Sequence, residues 1–133
     1  MIYMLDTNIC IYILKNNDKS LIKKFNDFKY GDICISSIAY SELVYGVEKS
    51  ARRDENMKNL LKFLSCIKIC DYDVNASNEY GKIRCDLEKN GNAIGSMDML
   101  IASHAKALGI TIVTNNAREF ERVKGLKIEN WIV

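Results

Sequence analysis

Five short strand-like segments alternate with stretches of helical periodicity, and that alternation limits the possible folds more than any other feature of the chain. Residues 1–5 (Met-Ile-Tyr-Met-Leu), 32–35, 67–69, 111–113 and 126–128 are brief runs dominated by aliphatic residues. Between them, Leu21, Ile22, Phe25 and Phe28 share one stripe over 18–29. Ser37 is placed to cap a helix carrying Ile38, Ala39, Leu43, Val44 and Val47. Asp54 is placed to cap another, with Met57, Leu60, Leu61 and Leu64 on its apolar face. Residues 74–90 make a further helix that Asn90-Gly91 ends, Ser96 opens one that Gly109 stops, and a short one follows Asn115. Strands this short, separated by helices, predict an α/β fold: a mainly parallel sheet flanked by helices on both faces, joined by right-handed connections.

The chain has 133 residues, no proline, no repeat and no low-complexity stretch. One domain spanning 1–133 is expected, large enough for a real core. No apolar run approaches the length of a membrane span, and no secretory pattern opens the chain. The cytoplasm is the expected compartment. Five cysteines lie at 10, 34, 66, 70 and 85, with no Cys-x-x-Cys pair, and the only histidine is His104. Reduced thiols acting as small core residues fit this better than a zinc site, which needs well-spaced soft ligands. The net charge of +2 neither demands nor excludes nucleic acid. The clusters Lys23-Lys24, Arg52-Arg53 and Arg118 with Arg122 and Lys124 read more simply as a solvated face than as a phosphate-tracking patch.

The chemistry is in the acids. Asp6 ends the first apolar run, at the carboxyl end of a strand, where open α/β sheets build their sites. Glu42 lies in the second turn of the helix that follows segment 32–35, at the border of its buried stripe. Asp98 lies in a first helical turn, between Met97 and Met99. Each has a plain structural explanation. Asp6 can cap the next helix, and Asp98 can complement a helix dipole at about 0.3–1 kcal/mol. Together they gather at one end of one sheet, and the joint pattern favours a site. Thr114, Asn115 and Asn116 end the fourth strand at the same rim, and Glu119 follows one turn later. Oxygen donors alone select Mg2+ or Mn2+ over zinc or copper. Such an ion relieves carboxylate repulsion and can hold a phosphodiester for attack by water. His104 falls well off the Asp98 face of its helix at about 100° per residue, so a packing or solvent-facing histidine is expected. No Gly-rich phosphate loop is present. Asn8 stands where an aspartyl phosphatase would carry a second Asp, and the pattern of a receiver domain fits poorly.

These residues resemble a known family. Met4-Leu5-Asp6-Thr7-Asn8, Ile35-Ser36-Ser37-Ile38 with Ser41-Glu42-Leu43 and Tyr45-Gly46, Asp98-Met99-Leu100-Ile101-Ala102, Val113-Thr114-Asn115-Asn116 with Arg118-Glu119-Phe120, and Asn130-Trp131 are similar to the PIN-domain ribonucleases. Within them the chain resembles the VapC-type toxins of type II toxin–antitoxin systems. The resemblance implies a PIN-like five-stranded sheet and an acidic pocket for Mg2+ or Mn2+. It implies an endoribonuclease acting on structured RNA, tRNA being the commonest target of such toxins. It also implies a homodimer neutralised by a VapB-type antitoxin in a higher assembly, with operator DNA contacted only through the antitoxin.

Carried over by position, Asp6, Glu42 and Asp98 are the expected metal ligands. Glu119 joins them as a candidate catalytic acid, and Thr7, Asn8, Thr114 and Asn116 are supporting neighbours. Where many PIN domains have a fourth acid this chain has Asn116, which leaves two roles for Glu119, site acid or surface acid. It also leaves an alternative function: a catalytically degenerate PIN-like module that binds a protein partner or RNA without cleaving. Tyr40 and Tyr45 are candidates for a dimer interface or for ordinary packing.

Overall fold

A computed structural model describes residues 1–132. The chain runs β1 (Tyr3–Leu5), α1 (Thr7–Lys15), α2 (Lys19–Asn26), β2 (Ile33–Ser36), α3 (Ser37–Glu48) and α4 (Arg53–Leu64). It continues through β3 (Lys68–Cys70), α5 (Val74–Lys89), α6 (Ser96–Leu108), β4 (Thr111–Val113), α7 (Ala117–Phe120) and β5 (Ile128–Glu129). The strands form one five-stranded parallel sheet in the order β3-β2-β1-β4-β5. The alternation in the sequence gives this because each parallel pairing needs a crossover, and a helix supplies it.

The three central strands are apolar along their length because helices cover them on both sides. Met4, Leu5, Cys34, Ile35, Ile112 and Val113 have no solvent exposure, and they meet Ile9, Leu43, Ile83, Ile101 and Phe120 from the surrounding helices in one core. The edge strands are short, and in β3 Lys68 and Ile69 face solvent. Such blunted edges limit pairing with another sheet. Cys10 and Cys34 are core residues as expected, whereas Cys66 and Cys85 are exposed.

Three expected caps are corrected. Ser36, not Ser37, caps α3: its side chain accepts from the Ile38 N–H, while the Ser37 hydroxyl accepts from the Tyr72 N–H. Arg52 precedes α4 without a side-chain cap, and Asp54 lies in the first turn, where it complements the dipole. Gly95 precedes α6, so Ser96 is already helical. In each case the side-chain oxygen expected to cap sits one or two positions inside the helix. The helix after Asp6 is also longer than its cap alone suggests. It ends at Asn16, which takes the left-handed conformation (φ 53°) that asparagine adopts more readily than most residues.

Candidate functional site

The strand order turns the site's position into a consequence of topology. The chain fills the sheet on one side of β1 through β2 and β3, then returns to the other side with β4 and β5. The carboxyl ends of β1 and β4 therefore lie side by side at the point where the winding reverses, and crevices form there. Asp6 follows β1 and Thr114 follows β4. The Asp6 N–H donates to the Val113 carbonyl at 3.0 Å, and the Thr114 N–H donates to the Glu129 carbonyl at 3.0 Å. Both residues are thus locked to the sheet, at 3% and 0% exposure.

Asp6 both caps α1 and lines the candidate site. One carboxylate oxygen accepts from the Ile9 N–H at 2.8 Å, which fixes the side chain. Burial raises its pKa above the ordinary value, against the pull of the Thr114 hydroxyl and the Ile9 N–H, and the Glu42 charge raises it further. Glu42 projects from the second turn of α3, half-buried, and accepts the Thr7 hydroxyl. Asp98 projects from the first turn of α6. Asp6, Thr7, Asn8, Glu42 and Asp98 line one cavity of about 580 Å3. The pKa of Asp98 is pushed up to about 6 by burial first, then by the neighbouring Glu119 carboxyl, then by the charges of Asp6 and Glu42.

Glu119 is the fourth acid nearby. It stands beside Asp98 and is half-buried. Asn116 is the reason: its amide Nδ2 donates to Glu119 Oε2 at 2.6 Å, while its backbone N–H donates to Thr114 Oγ1 at 2.9 Å. Asn116 thus holds the Glu119 carboxylate one turn further on. Asn8 and Asn116 also line an adjoining cavity of about 400 Å3 with Lys15 and Asn115.

Asp6 and Asp98, raised by burial and by their acidic neighbours, are held charged together more readily with a cation between them. The donor set is oxygen throughout, which fits Mg2+ or Mn2+. Among the described residues no three His, Cys, Asp or Glu side chains form a ready-made cage.

His104 takes no part. It is 1% exposed, its Nδ1 lies 2.8 Å from Ser36 Oγ, and the Tyr72 ring meets it edge-on at 5.4 Å. Of the basic clusters, Arg52 pairs with Glu55, Arg53 with Glu48 and Asp54, and Lys124 with Asp86, as a solvated face would. The sequence reading missed the Thr7–Glu42 hydrogen bond and Lys49, which lines the acidic cavity. Asp6-Thr7 adjacency was the only signal for the first, and nothing marked the second.

The PIN domain family matches residues 3–126. A protein of Shigella flexneri named tRNA(fMet)-specific endonuclease VapC is 46% identical over 97% of both chains. The structure of DNA-bound VapBC from Salmonella typhimurium contains a chain that superposes with a TM-score of 0.94 at 42% identity, over 98% of both chains. A chain of VapBC2 from Rickettsia felis, bound to a DNA fragment from its promoter, superposes with a TM-score of 0.90 at 43% identity, over 98% of this chain and 99% of that one.

Proposed function

The chain belongs to the PIN-domain family, among the VapC ribonucleases, and from that premise we propose that it is a Mg2+- or Mn2+-dependent endoribonuclease toxin, one PIN domain over its whole length, that hydrolyses phosphodiester bonds in structured RNA. The convergence of Asp6, Glu42 and Asp98 on one cavity at the sheet's winding reversal, with Glu119 beside Asp98, carries this reading. tRNA is the proposed substrate, on the strength of the Shigella relative's name.

Asp6 and Asp98 present the carboxylate oxygens that would hold the ion. When bound, the cation neutralises the gathered charge, acidifies a water and draws in a phosphate. Glu42, held by the Thr7 hydroxyl, orients the attacking water. Thr114 steadies Asp6, and Asn116 steadies Glu119, whose carboxylate completes the negative wall. A site that still gathers four acids gives the non-cleaving alternative little support. A VapB-type antitoxin is the proposed partner, in a complex of homodimers that reaches operator DNA through the antitoxin. The Salmonella and Rickettsia VapBC assemblies support this.

Purified protein is expected to cut tRNA when Mn2+ is added and to stop in chelator. Asp98→Asn should lower the rate at least 100-fold with the far-ultraviolet spectrum unchanged. Full activity in Asp98→Asn, or undiminished cutting in chelator, contradicts the assignment.

A further inference from the structure

We propose that Tyr45 and Lys49 form a nucleotide-holding wall of the acidic cavity. The Tyr45 ring stacks on a base of single-stranded RNA next to the bond that is cut, and the Lys49 ammonium meets a neighbouring phosphate. The choice of RNA as ligand rests on the ribonuclease reading above.

Glu42, Tyr45 and Lys49 are spaced i, i+3 and i+7 along α3 and its C-cap, so they share one face of the helix. All three line the cavity that holds Asp6 and Asp98. The stripe thus passes from an acid at the reaction centre, through an aromatic ring, to a cation. Tyr45 is 65% exposed, unusual for a large ring otherwise free to pack, and Met97 of the same cavity is 48% exposed. Gly46, beside Tyr45, also lines the cavity, and a Cβ there would meet nothing within 4 Å, so the floor is open. Lys49 Nζ lies 4.8 Å from the Tyr45 ring centroid, a cation–π distance that holds the two groups together. Among the described residues Lys49 makes no ion pair, whereas Arg52, Arg53 and Lys124 do.

A cavity lined by three acids repels the very backbone it would cut. A cation at its rim and a flat face for a base offset that repulsion without reading sequence, because every base offers a π face. RNA loops and single strands display bases in the form this wall can accept.

The test combines binding and kinetics. Binding of a labelled, mixed-sequence single-stranded RNA oligonucleotide is measured to Asp98→Asn protein, alone and with Tyr45→Ala, Tyr45→Phe or Lys49→Ala added. Cleavage of bulk tRNA with Mn2+ is measured for the corresponding variants in the otherwise unchanged chain. Tyr45→Ala should weaken binding about 5- to 150-fold, the range for one lost base stack, and raise KM while changing kcat little. Tyr45→Phe keeps the ring and should restore both. Lys49→Ala should reduce the slope of log affinity against log salt by about 0.7, the value for one phosphate contact on a single strand. Equal affinity and KM in Tyr45→Ala and the parent overturn the inference. So does a Tyr45→Ala defect confined to self-association or to capture by antitoxin, which would mean that a protein covers the ring. Absence of cleavage in the unchanged chain, with oligonucleotide binding still dependent on Tyr45, sinks the ribonuclease reading and leaves the wall standing.

Discussion

Thr7 shows how much of the site depends on residues that bind nothing themselves. Its hydroxyl donates to Glu42, so it fixes a carboxylate that otherwise swings on three rotatable bonds. Removing such a support commonly costs about 10- to 100-fold in metal affinity or activity. Thr7→Val is therefore expected to lower kcat by about that factor, with Thr7→Ser recovering most of it, as single-turnover cleavage would report. Asn116 plays the matching part for Glu119. Asp6 and Asp98 were legible in the sequence because each interrupts an apolar run at the start of an element. Glu119 was not decided there. Sequence spacing gives its distance along α7 but not the hydrogen bond that turns it toward Asp98. Lys49 was invisible for a similar reason, since one lysine after a helix looks like any other until the fold places it on a cavity wall.

Elements were more legible than their ends. The alternation of short apolar runs with helices was enough for the parallel sheet, because few other arrangements cover both faces of such strands. The caps were misplaced where a polar residue just inside the helix looked as suitable as the one at its edge, as with Ser36 and Ser37 at α3. His104 on α6 joins that cap through Ser36 and so ties the Asp98 helix to the Glu42 helix. Burial holds its pKa below the ordinary value, against the pull of the Asp73 and Asp71 charges. In the unfolded chain it takes a proton near pH 6.5, and in the folded chain only at lower pH. Its contribution to stability is thus whole above about pH 6.5 and is lost as the pH falls below it, by up to about 1.4 kcal/mol per pH unit. Asp98, raised to about 6, contributes with the opposite sign over the same range, so the test is the difference between chains: in urea unfolding from pH 7.5 to 5, the wild type should lose more stability, or gain less, than His104→Gln. By the same packing logic, Ile112→Ala in the wholly buried β4 should cost about 2–5 kcal/mol. Ile69→Ala on exposed β3 should stay within about 0.5 kcal/mol.

At the scale of the whole molecule, three distant stretches of chain deliver acids to one rim because the sheet reverses its winding between β1 and β4. The acids repel one another there, beside a core that is otherwise mostly apolar, with Ser36, Ser103, His104 and Thr114 its other buried polar residues. Among the described residues no helix is long and apolar enough to cross a membrane. A cation that binds only the folded chain should raise the unfolding free energy by about 2.7 kcal/mol at a hundredfold excess over its Kd. Asp6→Asn should abolish the gain in melting temperature on adding Mn2+. The central claim is that these carboxylates share one ion, and anomalous scattering from crystals soaked in Mn2+ tests it most directly. The account predicts a peak at bonding distance from both Asp6 and Asp98, within water-bridged reach of Glu42 and Glu119. A peak bound elsewhere, with this cavity empty under saturating Mn2+, would contradict it.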